Sequence, residues 1–277
     1  MVTQAKFRFH NRVSLLETGS QSTMTDLAAL HDLTGRVAVV TGGSRGIGRA
    51  LVQALAEAGA DVVIASRKLD ACERAAREVA DTTGRQALAI ACHVGHWDDC
   101  DRLIEQTTSH FGRMDILVNN AGMSPPYDTL DAVSEELFDK TLAVNLKGPF
   151  RLGALAGNHM ADNDGGSIIN IGAVASLTAG EIELPYACAK AGLNVLTVGL
   201  ANAYAPRVRV NAILPGGFRT DVSRFWPPEA LEGSFVPLKR IGEPDELGPL
   251  VVHLASKASS YTTGSVIKVD GGLVRSI

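Results

Sequence analysis

Tyr186 and Lys190 stand four positions apart in Tyr-Ala-Cys-Ala-Lys, so on a helix they project from one side, a turn apart. A phenol and an ammonium held this way form an acid/base pair. The nearby positive charge favours phenolate and draws the tyrosine pKa down towards working pH. Upstream lies a glycine-rich loop, Thr41-Gly42-Gly43-Ser44-Arg45-Gly46-Ile47-Gly48. There Gly42 permits a tight turn, Gly46 lets backbone approach a pyrophosphate, and Gly48 lets a helix pack on a sheet, its N-terminus favouring the anion. The spacing T-G-x-x-x-G-x-G differs from G-x-G-x-x-G, so its meaning comes from sitting between a strand-like run and a helical one. Together the two motifs predict hydride transfer from a bound nucleotide, with tyrosine handling the proton.

The elements that must position them follow from hydrophobic pattern. Short β-branched or apolar runs at Val37–Val40, Asp61–Ala65, Ala87–Ile90, Ile116–Val118, Ser167–Ile171 and Val208–Ile213 look like strands buried on both faces, and Val266–Val269 makes a seventh. Helical patterns over Gly48–Ala58, Leu69–Thr82, Trp97–Phe111 and Pro185–Tyr204 lie between them. The alternation predicts α/β architecture: one doubly wound parallel sheet of about seven strands with helices on both faces. Residues 221–238, with Phe225, Trp226, Pro227, Pro228, Phe235 and Pro237, break the rhythm and are expected to form a lid. Residues 1–32 precede the domain at 33–277 as a polar extension, either loosely attached or an arm on a neighbouring subunit. Met24 is a candidate alternative start.

Cofactor choice is made near the end of the second strand, where an acidic side chain would grip a ribose 2′-hydroxyl. Here the chain reads Ile64-Ala65-Ser66-Arg67, with no carboxylate. Arg67 and Arg45 suit a 2′-phosphate instead, since guanidinium matches phosphate geometry. NADP(H) is therefore expected over NAD(H).

Of the 277 residues, 45% are hydrophobic and 20% charged, which suits a soluble enzyme with a substantial core. A net charge of −4 argues against nucleic-acid binding. No apolar run is long enough for a membrane span, and the first thirty or so residues lack a secretory h-region. Cys72, Cys92, Cys100 and Cys188 show no disulfide spacing, so free thiols in a reducing cytoplasm are expected. Cys92, His93, His96 and Cys100 are possible zinc ligands, but their bunching makes tetrahedral closure awkward and no metal is expected.

Thr41–Gly48, Asn119-Asn120-Ala121-Gly122, Asn145, Tyr186-x-x-x-Lys190 and Pro215-Gly216 resemble, in order and spacing, the motifs of the short-chain dehydrogenases/reductases. The resemblance covers Leu33 to Val274. It implies a Rossmann-type sheet, a nicotinamide cofactor, a small carbonyl or alcohol substrate and a homotetramer or homodimer. On that resemblance Tyr186 is the general acid/base, Lys190 binds the nicotinamide ribose and tunes the phenol, and Asn145 orders a relay water. Asn119, Asn120, Ala121 and Gly122 would line the adenosine side and steady the central sheet. Ser44, Ile47, Ser66, His93 and Val94 join the glycine loop in holding the cofactor, and Pro215, Gly216, Phe218 and Thr220 meet it where the lid begins.

Two positions depart from the family's pattern. The family's catalytic serine stands thirteen residues before the tyrosine, where this chain has Ala173. Losing such a hydrogen-bond donor costs roughly 10²–10³ in turnover. Three arrangements answer the gap: Ser176 swings in from the same loop, a water or substrate hydroxyl substitutes, or activity is weak or absent. Partial help from Ser176 is the expectation. At His93 the family carries an aspartate that touches adenine; a backbone group can still bind the base. Cys188 is expected to pack, and Asp270-Gly271-Gly272 to form a turn. Glu181 and Glu183 either meet a cationic substrate or lie in a solvated loop. Phe225 and Trp226 either contact substrate or pack. The expected function is an NADP(H)-preferring oxidoreductase; the alternative is a dinucleotide-binding sensor or scaffold without turnover.

Overall fold

The protein is described from a computed structural model covering residues 26–275 apart from 222, 224, 225 and 227. The chain begins with a short helix, α1 (Leu27–His31), capped by Asp26, whose carboxylate accepts from Ala28 N. It packs against the Lys257–Ser259 turn. Met24 and the rest of residues 1–25 lie outside the described residues.

Strands and helices then alternate: β1 (Val37–Thr41), α2 (Gly46–Glu57), β2 (Asp61–Ser66), α3 (Leu69–Thr83), β3 (Ala87–Ala91), α4 (Trp97–Phe111) and β4 (Ile116–Asn119). The second half runs α5 (Glu135–Leu142), α6 (Gly148–Asp162), β5 (Gly166–Ile171), α7 (Leu184–Tyr204), β6 (Val208–Pro215), α8 (Pro228–Glu232), α9 (Gly248–Ala255) and β7 (Val266–Val269). All strand pairings are parallel, and the order is β3-β2-β1-β4-β5-β6-β7. The order reverses between β1 and β4, which opens a crevice beyond their C-terminal ends.

Period-2 alternation divides the core into two layers. Ala38, Val40, Val62, Ile64, Ile116 and Val118 pack with Leu51 and Leu55 of α2, Val79 of α3 and Val251 of α9. Val37, Val39, Val63 and Leu117 face Leu103 of α4, Leu152 and Met160 of α6 and Leu200 of α7. β1 and β4 are buried throughout, as expected. β3 and β7 are not: β3 buries only Ile90 and β7 none of its residues, because these strands close the two edges of the sheet. The other correction is local. α5 and α6 were not read as helices, and a π turn, Ala143–Lys147, joins them.

Candidate active site

The glycine loop links β1 to α2 at the crevice. Gly42 (φ 65°) and Gly46 (φ 53°) adopt left-handed backbone, which a side chain resists. A Cβ on Gly48 would lie 2.2 Å from Gly42 O, so only glycine lets the helix start this close to the strand. α2 has no side-chain N-cap and no acidic residue in its first turn. Its leading N–H groups and positive dipole end are thus left to an anion, as a pyrophosphate requires. Thr220 closes this end, its methyl 3.7 Å from a Cβ built on Gly46.

Beside the loop, Ser44 Oγ donates to Ser66 Oγ at 3.0 Å. Arg67 is exposed just past β2. Arg45 is exposed too and makes a 3.4 Å contact with Asp221, a solvated pair of little strength. After β3, His93 N donates to Asp99 Oδ2 at 2.8 Å, and the His93 ring stacks on His96 with centroids 4.3 Å apart. Burial, then the neighbouring His96, pushes the His93 pKa down. The thiols of Cys92 and Cys100 are buried and turned to the carbonyls of Asp99 and Val94.

Thr41 locks β1 to the loop after β4. Its Oγ accepts from Asn120 N and Ala121 N at 3.0 and 3.1 Å, and Asn120 Nδ2 returns a bond to Thr41 O at 2.8 Å. Asn119 Nδ2 donates to Asn170 Oδ1, Asn170 Nδ2 to Thr197 Oγ1, and that hydroxyl to Leu193 O, at 2.8–2.9 Å throughout. This buried chain fastens α7 to β5 and β4. Asn145 is wholly buried in the π turn, its Nδ2 donating to Met123 O and Thr141 O and its Oδ1 accepting from Met123 N. Both amide hydrogens are spent, so a relay water would have to donate to Asn145 Oδ1 or be held by backbone. A Cβ built on Gly122 would fall 3.0 Å from Asn145 Oδ1 and 3.7 Å from Lys190 Nζ. Three motifs far apart in sequence therefore meet at one point.

Tyr186 and Lys190 lie in the first two turns of α7, and Nζ stands 5.6 Å from the centre of the phenol ring. Their electrostatics differ from the simple expectation. Lys190 is 2% exposed and donates to Ile171 O at 2.7 Å. Burial brings its pKa from 10.5 down to about 8. The Tyr186 pKa goes up instead of down, through burial first and the Glu183 carboxylate second. The ammonium is aimed at a carbonyl, not at the phenol oxygen, so its field does not dominate there.

The buried ammonium makes Lys190 a stability cost. The displacement from 10.5 to about 8 corresponds to about 3 kcal/mol at neutral pH. Leaving Ile171 O without a donor returns about 1–3 kcal/mol of that. Lys190→Met is thus expected to raise the thermal midpoint by a few degrees near neutral pH. The unfolded chain binds the extra proton between about pH 8 and 10.5, so wild-type stability rises with pH there and the gap closes. Melts of both proteins across that range check this; a gap that ignores pH contradicts the buried charge.

Comparison with known proteins places the chain. A family model described as enoyl-(acyl carrier protein) reductase matches residues 42–274. The dehydrogenase/reductase SDR family member 4 of Pongo abelii is 36% identical over 245 residues, covering 87% of this chain and 88% of its own. The L-rhamnose 1-dehydrogenase (NAD(P)(+)) of Azotobacter vinelandii is 37% identical, covering 87% and 97%. The crystal structure of a short-chain type dehydrogenase/reductase from Mycobacterium marinum superposes with a TM-score of 0.84 at 36% identity, covering 89% and 98%. The chain belongs to the short-chain dehydrogenase/reductase family.

The loop after β5 carries Ala173, the position at which the resemblance implied a serine. Ala173 is nearly buried, and its methyl packs with Ala175, Ala187 and the Tyr186 ring where a serine hydroxyl would stand. Ser176 is close in the chain, but its hydroxyl donates to Ala173 O at 2.7 Å and accepts from Asn194 Nδ2 at 2.9 Å. Its one hydrogen is engaged and, so placed, offers nothing to a substrate oxygen. The polar positions Tyr186, Lys190, Asn194 and Thr197 follow one face of α7.

Beside Tyr186 a narrow recess is lined by Ser124, Pro125, Tyr127, Leu137, Thr141, Glu183 and Pro185. Sequence reasoning did not single out Tyr127 or Leu137, which lie in a stretch without a motif. Trp226 packs over Gly217, within 3.4 Å of a Cβ built there. Phe225 lies outside the described residues. Phe218 turns its ring into the core against Gly242, leaving only backbone for a cofactor. Pro215 ends β6, Gly216 N donates to Val269 O, and Asp270 caps the expected turn by accepting from Gly272 N and Val274 N.

Proposed function

We propose that this chain interconverts a carbonyl and a secondary alcohol, with NADP(H) preferred over NAD(H) and Tyr186 as general acid and base. The observation that carries the reading is the meeting of Gly122 and Asn145 with Lys190, which shares α7 with Tyr186. The uncapped α2 terminus with its glycine cradle fits a dinucleotide pyrophosphate. Gly42, Ser44, Gly46, Ile47 and Gly48 would hold it; His93, Val94, Asn119 and Ala121 the adenosine side; Lys190, Pro215, Gly216 and Thr220 the nicotinamide side. Bound there, the nicotinamide supplies or accepts the hydride.

In reduction Tyr186 gives its proton to the substrate oxygen. The raised phenol pKa keeps that proton in place at neutral pH, which suits the acid role. Oxidation needs phenolate. Its rate is therefore expected to climb as pH rises into the alkaline range, while reduction holds level and falls only as the phenol ionises. Initial rates in both directions against pH read this, and an oxidation rate indifferent to pH speaks against Tyr186 as base.

Ser66, Arg67 and Arg45 support the NADP(H) preference. Arg67→Ala is expected to weaken NADPH binding about tenfold or more, as loss of a charge-assisted phosphate contact should, with NADH little affected. Fluorescence titration with both cofactors decides; an equal loss for both would remove the 2′-phosphate role. The exposed Phe150, Val195 and Val198 on α6 and α7 support a homotetramer or homodimer. The four free cysteines support a reducing, cytoplasmic setting.

A second reading has one observation in its favour: with Ala173 in the serine position and Ser176 engaged, the site lacks its second donor. Saturable cofactor binding without turnover over a broad carbonyl and alcohol panel would support a sensor or scaffold.

A further inference from the structure

Glu183 lies one turn before Tyr186 and lines the same recess. It is half-buried, yet among the described residues it takes part in no ion pair. The other polar groups of the recess are largely occupied. Tyr127 OH donates to Glu181 O and accepts from Leu184 N, while Thr141 Oγ donates to Leu137 O. Pro125, Leu137 and Pro185 supply apolar walls. The recess is thus an apolar slot carrying one uncompensated carboxylate beside the phenol. A half-buried carboxylate without a cation has lost part of its hydration, and a ligand that brings the counter-charge offsets that loss.

Resting on the oxidoreductase reading, we propose that Glu183 is a specificity-determining residue that selects ketones, and the matching alcohols, bearing an ammonium group on an apolar frame. The apolar walls take the carbon skeleton and Glu183 takes the cation. Two further facts agree. Burial pushes the Glu183 pKa up, with the Gly180 N–H the only opposing influence, as expected of a carboxylate with no cation near it. Glu183 also raises the Tyr186 pKa, so a cation on Glu183 relieves the phenol of that field as substrate binds. Glu181 points to a different fate: it is exposed and only its backbone carbonyl is used.

The test compares the permanently charged N,N-dimethylpiperidinone cation with its carbocyclic isostere, dimethylcyclohexanone, in NADPH-dependent reduction. Wild type is expected to favour the cation in kcat/KM by about tenfold or more, a preference that appears mainly in KM. Glu183→Gln is expected to abolish or invert that ratio by weakening the cation and improving the neutral ketone. Equal kcat/KM for the two ketones in wild type, or the same ratio in both proteins, overturns the proposal; the wild-type ratio needs no variant to fold. Tyr186-dependent turnover of the neutral ketone would leave the oxidoreductase reading standing in that case. If neither ketone reacts, calorimetric titration with both probes gives the ratio as dissociation constants. Tighter cation binding in wild type alone supports the Glu183 assignment, equal binding overturns it, and the missing turnover then counts only against the oxidoreductase reading.

Discussion

Tyr186→Phe is expected to lower kcat for carbonyl reduction by about 10²–10⁴ while leaving NADPH affinity within about threefold of wild type. The substitution removes one oxygen and keeps the ring that packs against Ala173, Ala175 and Ala187. The glycine cradle and Arg67 lie on other elements and are untouched. Removing one hydroxyl from a half-buried ring is expected to leave the variant no less stable. Steady-state rates and cofactor titrations on the same preparations separate the outcomes. Equal kcat in the two proteins would take Tyr186 out of the chemistry; a collapse of NADPH binding would mean that the residue shapes the cofactor site instead.

Ala173→Ser should move turnover the other way, raising kcat by roughly 10–10³. Ala173 has extended backbone (φ −162°, ψ 151°), which serine adopts without strain. Ala173 belongs to the cluster against which Tyr186 packs, so a hydroxyl added there is expected to stand near the phenol and to donate to the same substrate oxygen. Two donors stabilise developing negative charge where one now acts. Ser176 bears on the interpretation, because its hydrogen is held by Ala173 O and its oxygen by Asn194. If kcat stays level in Ala173→Ser and falls in Ser176→Ala, Ser176 reorients in the working enzyme. If kcat rises in the first and is unmoved in the second, the missing serine is the true deficit.

The features legible in the sequence were those with short-range causes. The glycine loop announces itself because only glycine tolerates the left-handed turns at 42 and 46 and the close approach at 48. The strands of the sheet centre show as β-branched runs because both faces are covered, whereas Ala87–Ala91, at an edge, carries weaker information. α6 was missed because Gly148, Pro149, Gly153 and Gly157 imitate a loop. In the structure Gly153 and Gly157 are packing positions, where a Cβ would run into Leu200 and Tyr204 of α7. Tyr186 and Lys190 were found by spacing, but spacing says nothing of where an ammonium points. The ammonium is bound to Ile171 O, and burial and then the Glu183 carboxylate raise the phenol pKa against the expected lowering. Asn119 was expected to steady the sheet, but its partners Asn170 and Thr197 had a signal that went unread: an asparagine inside an apolar strand is out of place unless it is paired. Glu183 was read together with Glu181 as either a contact for a cationic substrate or part of a solvated loop, and sequence does not separate the two, since half-burial without a cation is a property of the folded recess.

The most direct measurement is carbonyl-dependent oxidation of NADPH by wild type, followed by absorbance over a broad panel of ketones and aldehydes that includes ammonium-bearing ones, with Tyr186→Phe run alongside. The account predicts consumption of one NADPH per carbonyl reduced, slowed in the variant by about two orders of magnitude or more. Saturable NADPH binding with no carbonyl that draws electrons from it, or turnover that survives loss of the phenol, would contradict it.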